Sequence, residues 1–383
     1  MPVRNDPTRA RRRILAAFLG LSLLTGGTIA ADEKESESKS GSAKGADKEN
    51  KPSLIGVPIP IADPTLGAGL AAAGLYTLNL GGSEKPSTFG VGAFWTSSDS
   101  WGVGLGGRAH LKRDRLRVSG GFGLAQLNYD FFGVGNDSGQ SGDSIPIEQS
   151  VDAFTAQMLF RLKKNLYLGP QYQILDVDTE IGTTRVIPPG LELPDVDLEA
   201  VTAFLGLHFE WDSSDNEFSA THGHLLDFYA SAYDEAFASD FEFQSYWLAY
   251  NQYHSIKKNE RRIVAWRATA CNVTDGAPFY ELCAIGIRDA FRGYQGGRYR
   301  DRISLTAQAE YRWEFVKRWV AAVFGGVGQV SETVSDLTFD NIRPAGGLGF
   351  RWMVVPARRI AVRVDYAWGE GDSGLYISVG EAF

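Results

Sequence analysis

The 383-residue sequence predicts an all-β protein, a transmembrane antiparallel β-barrel of about sixteen strands. Three observations carry this prediction. Apolar and polar residues alternate with a period of two along most of the chain, and the connections between these segments are short and long in turn. Composition is the third observation, because glycine and aromatic residues are both abundant and a hydrophobic content of 44% excludes a disordered chain.

The first 30 residues have the pattern of a cleaved export signal. Five arginines precede the apolar run Ile14–Leu24, and Thr28 and Ala30 have the small-residue spacing of a signal-peptidase site. The run is too short for a membrane anchor, since a spanning helix needs about twenty residues. Residues 1–30 are therefore predicted to be a signal peptide.

The segment that follows is predicted to be a disordered periplasmic tether, residues 31–53. It is rich in Glu, Lys, Ser, Gly and Ala and has no aromatic residue, so it cannot bury enough surface to offset the entropy of ordering. Residues 54–383 contain no linker and are predicted to form one barrel domain. Without the signal peptide the chain has 33 basic and 45 acidic residues, and this acidity disfavours nucleic acid as a partner.

The period of two is clearest from Ile303 to Glu314 and from Arg359 to Trp368, where every second residue is apolar. A helix would not give this pattern, so each segment is predicted to be a strand. Sixteen such strands are predicted, near residues 54–62, 65–80, 87–98, 100–112, 115–131, 147–163, 166–181, 196–211, 222–234, 240–256, 261–273, 303–315, 318–331, 345–355, 358–369 and 374–383.

The connections between these strands fall into two sets. One set is short and mostly basic, as at Lys112–Arg115, Lys163–Asn165 and Val316–Arg318. The other is longer and acidic or glycine-rich, as at Gly133–Pro146 and Thr274–Arg302. Short turns at one end and long loops at the other are typical of bacterial outer-membrane barrels.

A soluble β-sandwich is the alternative fold. Its core would have to bury Glu310, Arg312, Arg363 and Asp365, which is costly unless every charge is paired. The predicted strands are also often ten residues or longer, whereas strands of soluble proteins average about five or six. A water-filled lumen accommodates inward-facing charges without that cost, so the barrel is favoured.

The longest loop carries a family resemblance. Phe291, Arg292, Gly293 and Tyr294 resemble the V/L-R-G-F/Y motif of the BamA/TamA superfamily, the bacterial surface-antigen barrels, in the same loop of the same strand order. The chain also ends in Phe383 behind alternating apolar residues, which is similar to the C-terminal recognition signal of outer-membrane barrels. Glu381 departs from that signal, because an apolar or aromatic residue is usual there.

Further similarities to this family run along the barrel. Pro60–Gly69 resembles the family's first hairpin, Asp212–Asn216 resembles a turn motif, and Glu310–Arg312 resembles its E-Y-R strand. Val323–Val330 resembles the F-x-D-x-G strand, but Gly326 stands where that pattern has the acid that pairs with the loop arginine. The resemblance covers residues 54–383.

The resemblance implies that the long loop folds back into the lumen and that Arg292 pairs there with a carboxylate. Because Gly326 cannot supply one, the inward-facing Glu310 and Asp365 are the candidate partners. We expect Arg292 within salt-bridge distance of one of them. The alternative is an exposed loop arginine that is hydrated by water.

The two cysteines, Cys271 and Cys283, are predicted to form a disulfide. An exported protein meets an oxidising periplasm, and closing so short a loop is worth about 3 kcal/mol in the chain-entropy model. Two buried free thiols are the alternative.

Enzymatic functions have little support in the sequence. His222 and His224, with Asp212 and Asp215, could suggest a metal or acid–base cluster, but they fall in a predicted periplasmic turn. No G-x-S-x-G, H-E-x-x-H or Cys/His ligand spacing occurs. No catalytic residue, metal site or cofactor is predicted.

The resemblance implies a barrel of the bacterial outer membrane that translocates or assembles protein or lipid. Gly380 matches a glycine of the family's last strand, where it weakens the seam between the first and last strands. Residues 31–53 are too few for the periplasmic POTRA domain of the assembly members, so a member without its own POTRA domains is expected. The expected partners are outer-membrane lipids and a periplasmic protein or polypeptide client. A passive channel or a structural barrel is the alternative.

Overall fold

The computed structural model describes residues 53–80, 82–83, 86–182, 199–256, 261–288, 290–356 and 359–383. These residues form a closed antiparallel barrel of sixteen strands, which confirms the predicted fold. The predicted signal peptide and residues 31–52 of the predicted tether lie outside the described residues. Among the described residues, no helix is long and apolar enough to cross a membrane.

The strand bounds agree with the predicted segments to within a few residues at most ends. The barrel strands are β1 (Ser53–Asp63), β2 (Gly67–Leu78), β3 (Ser87–Thr96), β4 (Trp101–Leu111), β5 (Leu116–Phe131), β6 (Ile145–Lys163), β7 (Leu166–Ile181), β8 (Glu199–Asp212), β9 (Gly223–Tyr233), β10 (Phe243–Ser255), β11 (Arg262–Val273), β14 (Ile303–Val316), β15 (Trp319–Ser331), β16 (Arg343–Val355), β17 (Ile360–Gly369) and β18 (Asp372–Val379).

The remaining described elements lie in the long loops. Two short strands pair with each other between β11 and β14, and one short helix follows β5. These elements, with four 3-10 turns, are β12 (Cys283–Ala284), β13 (Arg300–Asp301), α1 (Asn136–Ser141), Glu235–Phe237, Phe279–Glu281, Val334–Asp336 and Phe339–Asn341.

Each barrel strand pairs with its neighbours in the chain, β11 pairs with β14, and β18 closes the barrel against β1. Side chains then alternate between lumen and lipid. In β14 the even-numbered Thr306 and Gln308 are buried, whereas the odd-numbered Trp313 and Phe315 are exposed. An exposed apolar face is stable only against lipid, so this face is the outside of the barrel.

The last strand is shorter than predicted, because β18 ends at Val379 and not at Phe383. Gly380 has a φ of +87°, a conformation that glycine adopts at little cost, and the chain turns out of the ladder there. Phe383 therefore packs against Ala220 of the β8–β9 turn and against the inward-facing Tyr253 and Ala265.

The barrel closes over a short seam between β1 and β18. Among the described residues, the register of this pair is defined at Ala62 and Ile377. By contrast, β17 and β18 pair continuously from Val362 and Val379 to Gly369 and Asp372. The seam is therefore held by a much shorter ladder than the neighbouring strand pair.

Candidate functional site

The loop between β11 and β14, residues 274–302, is here called the motif loop. Its root is joined to β11 by a disulfide between Cys271 and Cys283, whose Cα atoms are 5.7 Å apart. The short strands β12 and β13 pair at the same root. Both features hold the two ends of the motif loop together above the barrel wall.

Arg292 of the motif loop contacts the inner wall of the barrel. Its Nη2 donates to Glu310 Oε2 at 2.7 Å, and its Nη1 donates to Asp365 Oδ2. The guanidinium carbon also lies 3.5 Å from the centroid of the Phe324 ring. Arg292 is only 4% exposed. It contacts both of the carboxylates that the alternation of the sequence assigned to the inner face.

The neighbouring motif residues fit closely around this contact. Gly293 has a φ of +120°, and a Cβ there would lie 2.8 Å from Ala345 Cβ. Tyr294 donates from its hydroxyl to Pro344 O at 2.6 Å, and Phe291 is buried in the same apolar cluster. The tight turn at Gly293 is what allows Arg292 and Tyr294 to reach adjacent parts of the wall.

Arg351 of β16 extends the contact into a network. It donates to Glu310 at 3.0 Å and also to Asp365, the two carboxylates that Arg292 contacts. Arg312 donates to Glu310 at 2.7 Å. Because every one of these side chains is buried, each charge depends on its partners for stabilisation. This arginine cluster consists of Arg292, Arg312, Arg351, Arg363, Glu310, Asp365 and Glu381.

Glu381 gives the arginine cluster a link to the C-terminal tail. Its Oε2 accepts from Arg351 Nε at 3.0 Å, and Arg312 Nη2 donates to the Phe383 carbonyl at 2.9 Å. An acid at position 381 departs from the apolar signal, but the turn at Gly380 directs it inward, where two arginines surround it. The alternation of the sequence could not predict that Glu381 points inward, because the strand ends before Gly380.

Gly326 lies on the inward face of β15, where the family pattern has its acid. A Cβ at this position would lie 2.4 Å from Ala307 O, so β14 and β15 approach too closely there for a larger side chain. The carboxylates that receive Arg292 lie on β14 and β17 instead.

The motif loop also contacts both sides of the seam. The Gly296 N–H donates to Thr65 Oγ1 at 2.7 Å, in the turn between β1 and β2. The Gln295 N–H donates to Asp372 Oδ2 at 2.8 Å, at the start of β18, and the Gly293 N–H donates to the Tyr376 hydroxyl at 3.0 Å. One loop therefore bonds to elements on each side of the closing strand pair.

A second group of inward-facing charges lies on another part of the wall, nearer the short turns. Arg117 of β5 pairs with Asp114 at 2.8 Å and with Glu210 of β8, and its guanidinium lies 3.7 Å from the Tyr167 ring centroid. His110 bonds Asp114 at 2.7 Å. We call this the histidine cluster, and it consists of His110, Asp114, Arg117, Tyr167, His208, Glu210 and Asp227.

Asp114 lies in the turn between β4 and β5 and has a perturbed acidity. Burial by itself would raise its pKa, but hydrogen bonds from Arg117, His110 and Tyr167 outweigh burial and hold the pKa of this carboxyl well below its usual range. The ionised Asp114 carboxylate is thus the favoured form and accepts hydrogen bonds from all three side chains.

The histidine cluster includes three groups with the chemistry of metal ligands, His208, Glu210 and Asp227, whose ligand atoms lie within 4.8 Å of one another. In the structure these groups are bonded to one another and to a neighbour: His208 Nε2 lies 2.9 Å from Asp227 Oδ1, and Glu210 pairs with Arg117. Sequence reasoning missed this group. The alternation of side chains along β8 and β9 could have indicated it, since all three residues lie on the inward face.

The histidines that the sequence singled out lie elsewhere. His222 is exposed in the turn between β8 and β9, and His224 contacts Ser213 through its Nδ1 at 3.0 Å. The same turn is held by Asp215, which accepts from the backbone of Thr221 at 2.7 Å. This arrangement is that of a structured turn and not of a metal centre.

The model of the Omp85 superfamily domain matches residues 96–383, which is most of the barrel. The chain belongs to the Omp85 superfamily. Omp85 barrels lie in the bacterial outer membrane and act as transporters or assembly factors without enzymatic chemistry. Among curated proteins, none matches this Omp85 barrel by sequence.

Solved structures share the fold of this Omp85 barrel at low sequence identity. BamA from Haemophilus ducreyi lacking POTRA domains 1–3 is 13% identical with a TM-score of 0.56, covering 87% of this chain and 70% of that one. CdiB from Escherichia coli is 11% identical with a TM-score of 0.57, covering 85% of this chain and 62% of that one. CdiB from Acinetobacter baumannii is 10% identical with a TM-score of 0.53, covering 86% and 59%. The chain thus spans less than two thirds of both CdiB chains.

Proposed function

We propose that this Omp85 barrel translocates or assembles a polypeptide or lipid at the outer membrane, and that the motif loop closes the lumen until a client engages it. The observation that carries the proposal is the contact of Arg292 with Glu310 and Asp365. A loop that is anchored by a buried ion pair to the inner wall obstructs the path that a passive channel needs. A periplasmic partner and a polypeptide client belong to this proposal.

The energetics of the contact suit a plug that can be released. The pair is buried, so breaking it without replacement costs about 2–3 kcal/mol, and not more because Glu310 keeps Arg312 and Arg351 as partners. A client that supplies a carboxylate for Arg292, or a cation for Glu310 and Asp365, would lower that cost. The plug is therefore stable at rest and responsive to a charged segment in the lumen.

The seam provides a second support for the proposal. It has a shorter ladder than its neighbours, and the motif loop bonds to Thr65 on one side and to Asp372 on the other. Loss of the loop contacts would remove these two hydrogen bonds, through which the loop links the two sides of the seam. Release of the plug and weakening of the seam would then occur together.

Planar-bilayer conductance tests the plug directly. A sixteen-strand barrel without a plug leaves an aqueous channel, so the intact protein should conduct poorly and deletion of residues 291–300 should raise its conductance steeply. Heat-modified gel mobility verifies that the deletion variant still folds. A large, steady conductance of the intact protein contradicts the plug and supports a passive channel.

A seam lock tests translocation or assembly. The double substitution Ala62→Cys and Ile377→Cys links β1 to β18 at their registered pair, whereas Val364→Cys with Ile377→Cys links β17 to β18. A photo-reactive residue at Leu375 should capture polypeptides in cells with the control lock. The seam lock should abolish that capture. Equal capture with both locks contradicts a route through the seam.

We propose that the disulfide between Cys271 and Cys283 keeps the root of the motif loop fixed while its tip moves. Thiol labelling of the unreduced, unfolded protein checks the bridge, and two labelled cysteines would contradict it. With the bridge present, reduction should increase protease cleavage within the loop, because the loop-closure constraint of about 3 kcal/mol is removed.

A further inference from the structure

The exposed charges of the barrel are distributed unevenly between its two ends. The chain is acidic as a whole, with 46 acidic and 38 basic residues, yet the short turns at the periplasmic end carry exposed cations. Among the described residues these cations are Lys112, Arg113, Arg115, Lys163, Lys164, Arg261, Arg262, Lys317 and Arg318.

Two acids beside these turns are paired, one with inward-facing side chains and one with a cation of the rim itself. Asp114 is bonded to Arg117 and His110, and Glu314 lies 4.0 Å from Arg261. At the opposite end, exposed acids dominate the long loops. These include Asp137, Asp143, Glu235, Asp240, Glu242, Glu332, Asp336, Asp340 and Glu370. At the periplasmic end, Glu314 offsets Arg261, and the β8–β9 turn adds the exposed Asp215 and Glu217. The β4–β5, β6–β7 and β14–β15 turns, however, hold exposed cations and no exposed acid among the described residues, so the periplasmic rim is positive at these three turns.

One part of this rim also carries a continuous group of outward aromatic rings. Their centroids are 6.0 Å apart for Trp313 and Phe315, 6.2 Å for Phe315 and Phe350, 4.9 Å for Trp319 and Phe350, and 6.1 Å for Trp319 and Trp352. Each ring is between 37% and 44% exposed. Aromatic rings at this level of a barrel suit the boundary between acyl chains and headgroups.

The cations and the rings meet at the ends of β11, β14 and β15. Arg262 is registered opposite Trp313, and its guanidinium lies 5.9 Å from the Trp313 ring centroid. Lys317 and Arg318 form the turn between β14 and β15, directly beside Trp319. Three exposed cations therefore border one aromatic surface, which is called here the ring patch (Trp313, Phe315, Trp319, Phe350 and Trp352).

We propose that the ring patch binds an anionic phospholipid of the periplasmic leaflet. The headgroup phosphate would lie among Arg262, Lys317 and Arg318, and the acyl chains would lie along the rings. Charge complementarity selects an anionic lipid over a zwitterionic one, because a basic residue near an anionic membrane surface is worth about a factor of five in affinity. This site faces lipid outside the lumen, so it is independent of the plug and of any client.

The β6–β7 turn offers a matched control. Lys163 and Lys164 are exposed there too, but the exposed apolar residues around them are Phe160, Leu162 and Trp211, which pairs with Leu166, and these residues do not form a group of five rings like the ring patch. Equal numbers of charges can therefore be removed from a turn beside the ring patch and from a turn away from it. The comparison separates a specific lipid site from a general electrostatic attraction.

Native mass spectrometry of the full-length protein in a zwitterionic detergent tests the proposal, with phosphatidylglycerol and phosphatidylethanolamine as probes. The wild type should retain phosphatidylglycerol preferentially, and added salt should weaken that retention. The variant K317Q/R318Q should lower phosphatidylglycerol affinity on the order of tenfold or more, and K163Q/K164Q should change it less than twofold. Circular dichroism verifies that both variants are folded.

Two outcomes would overturn the proposal. One is equal retention of the two lipids by the wild type, which would show that the cations do not select a headgroup. The other is an equal loss in K317Q/R318Q and K163Q/K164Q, which would show that the attraction is spread along the whole rim.

Discussion

The arginine cluster and the histidine cluster are both buried groups of charges on the inner wall, but they join different parts of the molecule. The histidine cluster is built from strands and one turn, with Arg117 bonded to Asp114 and Glu210. The arginine cluster adds Arg292 from the motif loop and Glu381 from the C-terminal tail. One cluster joins strands of the wall to one another, and the other joins a loop and the C-terminal tail to the wall.

This difference shows how one kind of interaction can serve two purposes. A buried ion pair contributes little net stability compared with an apolar pair, but removing one partner is costly. In the histidine cluster that cost maintains the strand arrangement. In the arginine cluster it opposes the release of a loop and a tail, and Arg351 transmits the effect because it contacts Glu310, Asp365 and Glu381 together.

The largest effect is expected from Glu310→Gln. Glu310 is contacted by Arg292, Arg312 and Arg351, so loss of its charge leaves three buried guanidiniums short of a partner and should cost about 3–5 kcal/mol. Urea unfolding of the refolded barrel measures this. Glu210→Gln is the control and should cost less. Glu210 pairs with Arg117, and Arg117 keeps Asp114 as a partner in this variant. Equal losses of unfolding free energy in the two variants would contradict the idea that the arginine cluster depends more strongly on its central carboxylate.

The next effect concerns the loop anchor. Arg292→Ala should cost about 2–3 kcal/mol, less than Glu310→Gln, because Glu310 keeps Arg312 and Arg351 as partners. It should also raise the bilayer conductance several-fold by freeing the loop tip. Arg117→Ala removes an equally buried arginine from the other cluster and should leave the conductance low. A rise in both variants would show that conductance reports general loosening of the wall.

A smaller effect is expected from Asp114→Asn, about 2 kcal/mol at pH 7, because charged hydrogen bonds to Arg117, His110 and Tyr167 are lost. The folded pKa of Asp114 is depressed, so its stabilisation is full above the unfolded value near 4 and is lost as pH falls through the folded value. Stability measured from pH 7 to pH 2 should therefore fall less steeply in the variant. An unchanged slope would contradict this role.

The smallest effect is a coupling between the loop and the tail. Arg292 and Glu381 both contact the group around Arg351, so the loss in the double variant R292A/E381Q should differ from the sum of the single losses by about 0.5–1 kcal/mol. Unfolding of the four proteins in the cycle measures this. The control cycle R292A/E210Q should be additive within about 0.5 kcal/mol. Additivity in both cycles would show that the tail and the loop contribute to stability independently of each other.

The sequence predicted the number of strands, their approximate bounds and the side of the sheet that each residue faces. These properties are local, because side chains alternate along any strand. The prediction that Glu310 and Asp365 face inward followed from the alternation of apolar and polar residues alone. The motif around Arg292 added a resemblance that the match to the Omp85 superfamily domain confirms at the level of the family.

Only the tertiary structure decided which inward residues meet. The grouping of Arg117 with Glu210, and of Arg351 with Glu381, depends on the closure of the barrel and on the turn at Gly380. Alternation places a residue on a face, but the partner across the lumen is set by the stagger and tilt of all sixteen strands together. That geometry is a property of the closed sheet and is absent from any single segment of the chain.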